Sequence, residues 1–261
     1  MKPVFVHTSN VKRMLAAYEQ CLQRGASEAS WVLVAGNAGH GKTRSGHWFA
    51  DRQDAIHIRI KADVTPGWIK RELARELGYA KPPRSREALF QACFDSLAKY
   101  PRPIVLDEVE NALRRDIGVL EAIRDLSDLI EMPVVLIGRE WVPERLKEHR
   151  QIWSRISGMA TYTRMSLDDV TLLRETICEV EVDGALDDLL LEQSGGYIRE
   201  LMNGLANIER IGRRRGQVVR PADVSGVALT RDLSSAISML EDERKSNFED
   251  NGLRVIKGGR K

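Results

Sequence analysis

The sequence predicts an α/β fold with a mostly parallel, five-stranded sheet and a small helical C-terminal lid. Two short, continuous apolar runs, "PIVLDE" and "MPVVLIG", are typical of strands buried on both faces of a parallel sheet. Segments with helical periodicity separate the predicted strands, which indicates right-handed crossovers in an open sheet. From about Ser166 onward the pattern is helical only.

The elements follow from local patterns. Apolar residues at helical spacing predict a first helix from Ser9 or Asn10 to near Gly25, and a strand follows from Trp31 to Ala35. In "AIHIRIK" isoleucines alternate with His or cationic side chains, which predicts a half-exposed edge strand. A fifth strand is predicted at "ATYTRM". Further helices are predicted near 42, at 66–78, 86–99, 116–131 and 143–149, then at 168–180, 185–193, 197–212 and over 221–243.

These elements suggest four parts. Residues 1–30 form an N-terminal helix and lead-in, and residues 31–165 form the α/β core. Residues 166–245 form the helical lid with the C-terminal helices, and residues 246–261, "EDNGLRVIKGGRK" in their greater part, form a mobile basic tail.

Composition narrows the function classes. The chain has 261 residues, of which 43% are hydrophobic, enough for a substantial core and a satellite domain. The net charge is +2, which is too small to indicate by itself that the protein binds nucleic acid. Neither a long apolar run nor a secretory signal is present, so we expect a cytoplasmic protein without membrane association. Cys21, Cys93 and Cys178 lack metal-ligand spacing, so we expect buried structural thiols.

The stretch "GNAGHGKT" after the first strand matches the phosphate-binding pattern G-x-x-x-x-G-K-[ST]. Small residues let backbone N–H groups close around phosphates at the positive end of the following helix. Lys42 is expected to reach the β/γ phosphate oxygens of a nucleotide, and Thr43 to ligate Mg²⁺. The expected nucleotide-binding residues are Gly36, Asn37, Ala38, Gly39, His40, Gly41, Lys42, Thr43 and Arg44, with His40 contributing only its backbone.

Two acids, Asp107 and Glu108, end the predicted strand "IVLDE", where a sheet of this type meets its ligand. We expect Asp107 to hold the Mg²⁺ shell and Glu108 to polarise the attacking water as general base. The alternative is that both acids cap the next helix. Glu110, beyond the motif, is expected to be solvated.

The loop "GNAGHGKT", the strand "IVLDE", and the later "WSRI" and "GGYIREL" resemble the AAA+ branch of P-loop ATPases. Over residues 5–215 the arrangement is similar to the transposition ATPases of the MuB/TnsC/TniB group, nearest to the Mu-type phage B proteins. The resemblance implies a three-layer α/β sandwich and an ATPase stimulated by DNA and by oligomerisation. It also implies duplex DNA, self-assembly into rings or filaments, and a DDE-type transposase as partners inside a bacterial host cell.

The same resemblance assigns roles to two arginines. Arg155 in "WSRISG" matches the finger that reaches a neighbouring subunit's site, with Arg145 and Arg150 as fallbacks; the alternative is a surface arginine packed on Trp153. Arg199 matches the lid arginine on the γ-phosphate side, or is an ordinary exposed helix arginine.

One position departs from the AAA+ pattern. At the end of the fourth strand, where a polar sensor is usual, the chain has Ile137-Gly138-Arg139-Glu140. This puts the sensor role in doubt: Arg139 either senses phosphate or pairs with an acid.

DNA contacts require positive side chains on loops, with salt-dependent affinity. The candidates in the core are Lys61, Thr65, Lys70, Arg71, Arg114 and Arg115, and the triplet 213–215 and the tail are alternatives. Each cluster is alternatively a solvated surface. Rival functions are a helicase loader or initiator-like ATPase, and a slow nucleotide switch or scaffold that does not bind DNA.

Overall fold

The computed structural model of the protein describes residues 1–230. One compact unit, His7–Thr163, is built on a five-stranded sheet. Its strands are Trp31–Gly36 (β1), Ile56–Arg59 (β2), Ile104–Asp107 (β3), Val134–Gly138 (β4) and Ile156–Tyr162 (β5). The strand order is β2-β3-β4-β1-β5, and every neighbouring pair is parallel. The predicted α/β fold is confirmed, with "AIHIRIK" supplying an edge strand.

Helices cover both faces of this sheet. They are Ser9–Leu22 (α1), Lys42–Gln53 (α2), Pro66–Glu76 (α3), Arg86–Lys99 (α4), Glu110–Arg115 (α5), Gly118–Ile130 (α6), Val142–Lys147 (α7) and Arg150–Trp153 (α8). Leu33 and Leu106 point into a core shared with α3, α4 and α6, whereas Val34 and Val105 point into a core shared with α1 and α2. Successive strand residues face opposite sides. Each central strand therefore carries apolar side chains on both faces, up to Asp107 at the end of β3.

Short polar signals start several helices. The hydroxyl of Thr65 accepts the N–H of Trp68 at 3.2 Å, and Pro66 takes the first turn of α3. Ser85 accepts the N–H of Ala88 at 3.1 Å at the start of α4. These side chains satisfy donors that the first helical turn leaves without partners.

The strand order determines where a ligand site can form. In a parallel sheet all carboxyl ends lie at one edge, and here β4 lies between β1 and β3. The loops that follow these three strands are therefore neighbours at that edge, which is where open α/β sheets bind ligands.

The second compact unit contains residues 1–6 and, among the described residues, 164–230. Its elements are Leu167–Ile177 (α9), Leu186–Ser194 (α10), Ile198–Arg215 (α11) and the short 3-10 helix Pro221–Val224. Ser166 and Asp169 form a capping box at the start of α9. Arg174 binds Asp187 across α9 and α10, with Nε 2.7 Å from Oδ1.

Two helical predictions need correction. The predicted helix 116–131 is α6, but the separate helix α5 precedes it. The helix predicted over 221–243 is wrong across 221–230, where only Pro221–Val224 is helical and Gly226 has φ +72, a left-handed conformation that ends a helix. Residues 231–243 and the predicted tail 246–261 lie outside the described residues. No helix within residues 1–230 has the length and apolar character needed to cross a membrane.

Candidate nucleotide-binding site

The phosphate loop joins the end of β1 to the start of α2. Gly39 and Gly41 have φ +84 and +90, a backbone region that favours glycine. A Cβ on Gly36 would lie 2.5 Å from the carbonyl oxygen of Tyr162. The three motif glycines are therefore required by backbone conformation or by a close approach. The loop ends at the N-terminus of a helix of 12 residues, where N–H groups attract anions.

Lys42 bends over this loop. Its Nζ donates to the carbonyl oxygens of Gly36 at 2.6 Å and Asn37 at 2.8 Å. Burial lowers the pKa of Lys42, and the carboxyls of Glu110 and Asp107 oppose that change. The lysine that we expect to bind phosphate is therefore surrounded by acids and held by its own loop.

His40 anchors the loop to β5. Its side chain is buried, and Nδ1 lies 3.0 Å from the carbonyl oxygen of Tyr162. A carbonyl only accepts, so Nδ1 carries the proton in this contact. The other expected nucleotide contacts, Asn37, Ala38, Thr43 and Arg44, are exposed at the surface of the loop and of the first turn of α2.

Asp107 and Glu108 lie at the end of β3, at the same sheet edge as the loop. Asp107 is 2% exposed; its Oδ1 accepts the N–H of Glu108 at 2.9 Å, whereas its buried Oδ2 has no hydrogen-bond partner. Helix α5 has Val109 at its N-cap and no side-chain cap, so the capping alternative is not observed.

Glu108 is held in an unusual position. Its φ of +58 places a non-glycine residue in the left-handed region, which occurs often at functional sites. Its Oε1 lies 2.5 Å from a guanidinium nitrogen of Arg59 at the end of β2. The ion pair is near the surface, since the Arg59 side chain is 68% exposed. Sequence reasoning missed Arg59.

The residues present fit a magnesium ion. Mg²⁺ prefers hard oxygen ligands and keeps several waters in its shell. Asp107 offers a buried carboxylate oxygen without a partner, and Thr43 offers a hydroxyl in the first turn of α2. An unpaired buried carboxylate oxygen is costly unless a ligand satisfies it.

The prediction that Glu110 is solvated is wrong. Its Oε2 is buried without a hydrogen-bond partner, and burial raises the pKa of its carboxyl while main-chain N–H groups of Glu110 and Arg139 oppose the rise. The charge of Arg139 acts on both Glu110 and Lys42, so this arginine lies near the site. The sequence carried no signal for Glu110 beyond its closeness to Asp107.

Arg155 immediately precedes β5, at the amino ends of the strands and so opposite the phosphate loop. Its main-chain oxygen accepts the N–H of Trp31, the first residue of β1, at 2.8 Å. The phosphate loop begins at the other end of β1, so at 3.3 Å per strand residue it lies about 17 Å from the main chain of Arg155. Its side chain binds Asp128 at 2.8 Å, which raises the arginine's pKa, whereas the cation over the ring of Trp153 is Lys147. Arg155 therefore cannot reach the loop of its own subunit.

The other arginines are distributed as follows. Arg145 binds Glu148 at 2.8 Å, and Arg150 starts α8. Arg199 is exposed on the first turn of α11, in the second compact unit, and its role at the γ-phosphate stays a prediction.

The DNA candidates divide by their contacts. Among residues 1–230, none of the five cationic candidates in the α/β unit forms an ion pair; these are Lys61, Lys70, Arg71, Arg114 and Arg115. Lys61 lies over Trp68 at 5.5 Å and Arg114 over Trp141 at 5.2 Å. Thr65 is committed to its helix cap.

The 213–215 triplet is largely neutralised within the second unit. Arg213 binds Glu209 at 2.9 Å, and Arg215 binds Asp223.

Comparison with known proteins agrees with this geometry. Residues 23–146 match the family model described as "AAA domain". This match covers slightly less than half of the chain. Its parallel sheet and helices form the α/β fold of AAA+ P-loop ATPases, which confirms the fold that the resemblance implied.

Solved structures share this fold at low sequence identity. The Orc1 protein of Aeropyrum pernix, solved in complex with DNA, is 20% identical with a TM-score of 0.55, over 86% of this chain and 65% of that chain. A Walker-type ATPase of Pyrococcus abyssi is 15% identical with a TM-score of 0.59, over 97% and 78%. Domain III of the replication initiation protein DnaA of Thermotoga maritima is 15% identical with a TM-score of 0.51, over 84% and 91%. The chain thus spans slightly less than two thirds of the Orc1 chain. No curated protein matches the sequence.

Proposed function

We propose that the protein is a DNA-stimulated ATPase of the MuB/TnsC/TniB type, which assembles on duplex DNA and delivers target DNA to a DDE-type transposase. The observation that carries the ATPase part is the acidic pair beside the phosphate loop. Asp107 has a buried oxygen without a partner, and Glu108 lies next to it at the same sheet edge.

The chain's own residues would act in a defined order. Loop N–H groups receive the phosphates, and Lys42 exchanges the carbonyls of Gly36 and Asn37 for phosphate oxygens. Thr43 and Asp107 would hold Mg²⁺, which when bound neutralises phosphate charge. Glu108 takes a proton from the attacking water, which requires its carboxylate to turn from Arg59 toward the nucleotide.

A neighbouring subunit would complete the site. Because Arg155 is about 17 Å from its own phosphate loop, it serves a neighbour's γ-phosphate or none. Its ion pair with Asp128 would have to open or rotate on assembly. The role of Arg199 at the γ-phosphate is supported by its match to the lid arginine of the AAA+ pattern. ATP would thus favour assembly, and hydrolysis would favour disassembly.

The proposal that duplex DNA is a partner is supported by the cationic side chains after β2 and in α5 that form no ion pair within residues 1–230. Because no carboxylate within residues 1–230 pairs with these cations, they can bind DNA phosphates, and the binding releases counterions. The Orc1 structure, which shares the fold, contains DNA.

The transposition role is supported by the motif resemblance over residues 5–215. A second candidate, a helicase loader or initiator-like ATPase, is favoured by the fold similarity to Orc1 and DnaA domain III. A slow nucleotide switch that does not bind DNA is the remaining rival.

The test measures ATP turnover and negative-stain images with and without duplex DNA. We expect DNA to stimulate turnover, and rings or filaments to form with ATP or a slowly hydrolysed analogue but not with Lys42→Ala. Absence of both DNA stimulation and ATP-dependent assembly would contradict the proposal. Stimulation of a replicative helicase's loading, rather than of a transposase's strand transfer, would favour the second candidate.

A further inference from the structure

Glu110 has a feature that neither its local structure nor the proposed reaction explains. Its Oε2 is buried and has no hydrogen-bond partner, while the main-chain N–H of Arg139 interacts with the same carboxyl group. Orphaned carboxylate oxygens are rare in folded proteins, and each calls for a ligand, a strain or a catalytic reason.

A structural role does not account for this oxygen. Helix α5 has only six residues and no side-chain cap, and Glu110 forms no ion pair among residues 1–230. As the acid in the first turn of α5, Glu110 can stabilise the helix end through its charge, but that interaction gives Oε2 no hydrogen-bond donor.

The surroundings of Glu110 point to the nucleotide's metal ion. Glu110 is three residues from Asp107, whose Oδ2 is also buried without a partner. Three carboxyls raise the pKa of Lys42, and Glu110 has a larger effect than Asp107 and Glu140. Two carboxyl groups, each with a buried oxygen that has no hydrogen-bond partner, therefore act on the lysine that we expect to receive the phosphates.

We propose that Glu110 is a positioning residue for the metal, accepting through Oε2 a hydrogen bond from a water in the Mg²⁺ coordination shell. Mg²⁺ retains waters that need acceptors, and Asp107 supplies only one free oxygen. Outer partners of this kind orient the shell and contribute to metal affinity. This inference rests on the proposed nucleotide site, because the metal arrives with the nucleotide.

The test uses Mn²⁺ as the probe, detected by electron paramagnetic resonance, with the full chain and saturating ADP. Glu110→Gln keeps one carbonyl oxygen for the N–H of Arg139 and replaces the other oxygen with a donor. The matched control is Glu140→Gln, since Glu140 also acts on Lys42 but is exposed and has no buried orphan oxygen. ADP affinity in EDTA is measured in parallel.

We expect Glu110→Gln to weaken Mn²⁺ binding in the ADP complex roughly tenfold. ADP affinity of Glu110→Gln in EDTA should not fall, because the substitution removes a negative charge that acts on Lys42. The Mn²⁺ affinity of Glu140→Gln should stay within twofold of the unmodified protein. Unchanged Mn²⁺ affinity in Glu110→Gln, or an equal loss in Glu140→Gln, would overturn the inference while leaving the nucleotide site intact. Failure of the unmodified protein to retain Mn²⁺ with ADP would instead overturn both this inference and the proposed function.

Stability distinguishes positioning from a structural role. Because Oε2 has no partner in the nucleotide-free protein, Glu110→Gln and Glu110→Ala should melt within about 2 °C of the unmodified protein or above it, equivalent to a loss of at most about 1 kcal/mol for a protein of this size. A larger fall in both variants would show that Glu110 supports the fold and would overturn the inference.

Discussion

Replacing Asp107 by Asn should separate metal binding from stability. The side chain is 2% exposed, and its Oδ2 has no partner. A buried unsatisfied polar group costs about 1–3 kcal/mol, and a charged one costs more. An asparagine keeps an oxygen for the N–H of Glu108 and removes the charge, at the expense of some attraction to Lys42. Since Lys42 retains Glu110 and Glu140 as neighbours, we expect the nucleotide-free Asp107→Asn protein to gain about 1 kcal/mol of unfolding free energy.

The ligand-bound protein should show the opposite ranking. With Mg²⁺ and ADP at one hundred times the dissociation constant, binding adds about 2.7 kcal/mol to the unfolding free energy. If the substitution weakens binding about 100-fold, the same ligand adds only about 0.4 kcal/mol. Urea denaturation with and without Mg²⁺ and ADP measures both values, and Asp95→Asn on the exposed side of α4 is the control. A loss of more than about 1 kcal/mol in the nucleotide-free protein, or an undiminished ligand effect, would refute the reasoning.

Three further predictions test other contacts. Arg155→Ala should lower ATP turnover of the assembled protein by about 10³-fold or more without weakening ADP binding, whereas Arg150→Ala should leave turnover unchanged. Mixing Arg155→Ala with Glu108→Gln subunits, which still assemble and carry an intact arginine, should restore part of the turnover, and no restoration would contradict a finger from the neighbour. Arg174→Met should lower the unfolding free energy of the second unit by about 3 kcal/mol, because it leaves the buried Asp187 without its cationic partner and with only the hydroxyl of Thr171 as donor. Lys147→Met, which breaks an exposed ion pair, should change the unfolding free energy by about 0.5 kcal/mol at most, and equal effects in denaturation would contradict this. The three thiols of the folded protein should react slowly with a thiol reagent below about pH 9. Burial raises the pKa of Cys93 and of Cys178 to about 11 and also raises the pKa of Cys21. A rapid reaction of the folded protein would contradict this prediction.

The sheet could be predicted because burial on both faces leaves a clear sequence pattern. "PIVLDE", up to the two acids that end it, and "MPVVLIG" are continuously apolar and contain β3 and β4, while the alternation in "AIHIRIK" marks the edge strand β2. Helix α5 was missed because six residues are too few to show a helical period. The helix predicted after α11 was too long, because the apolar residues of this segment pack around a short 3-10 turn and not along one face of a helix.

The site could be predicted only where its residues are adjacent in sequence. The phosphate loop and the pair Asp107-Glu108 are local motifs. The pairing of Arg59 with Glu108 joins residues 49 positions apart, and that of Arg155 with Asp128 joins residues 27 apart. The Glu110 carboxyl interacts with the main-chain N–H of Arg139, in the loop after β4. Such contacts follow from the strand order, which no single motif encodes.

ATP turnover by Glu108→Gln tests the central claim most directly. Glutamine keeps the size of the side chain but cannot take a proton from water. With saturating Mg²⁺, ATP and duplex DNA, the account predicts that this variant binds ATP, stays assembled on DNA and hydrolyses at least about 100-fold more slowly than the unmodified protein. Normal turnover by Glu108→Gln would contradict the account.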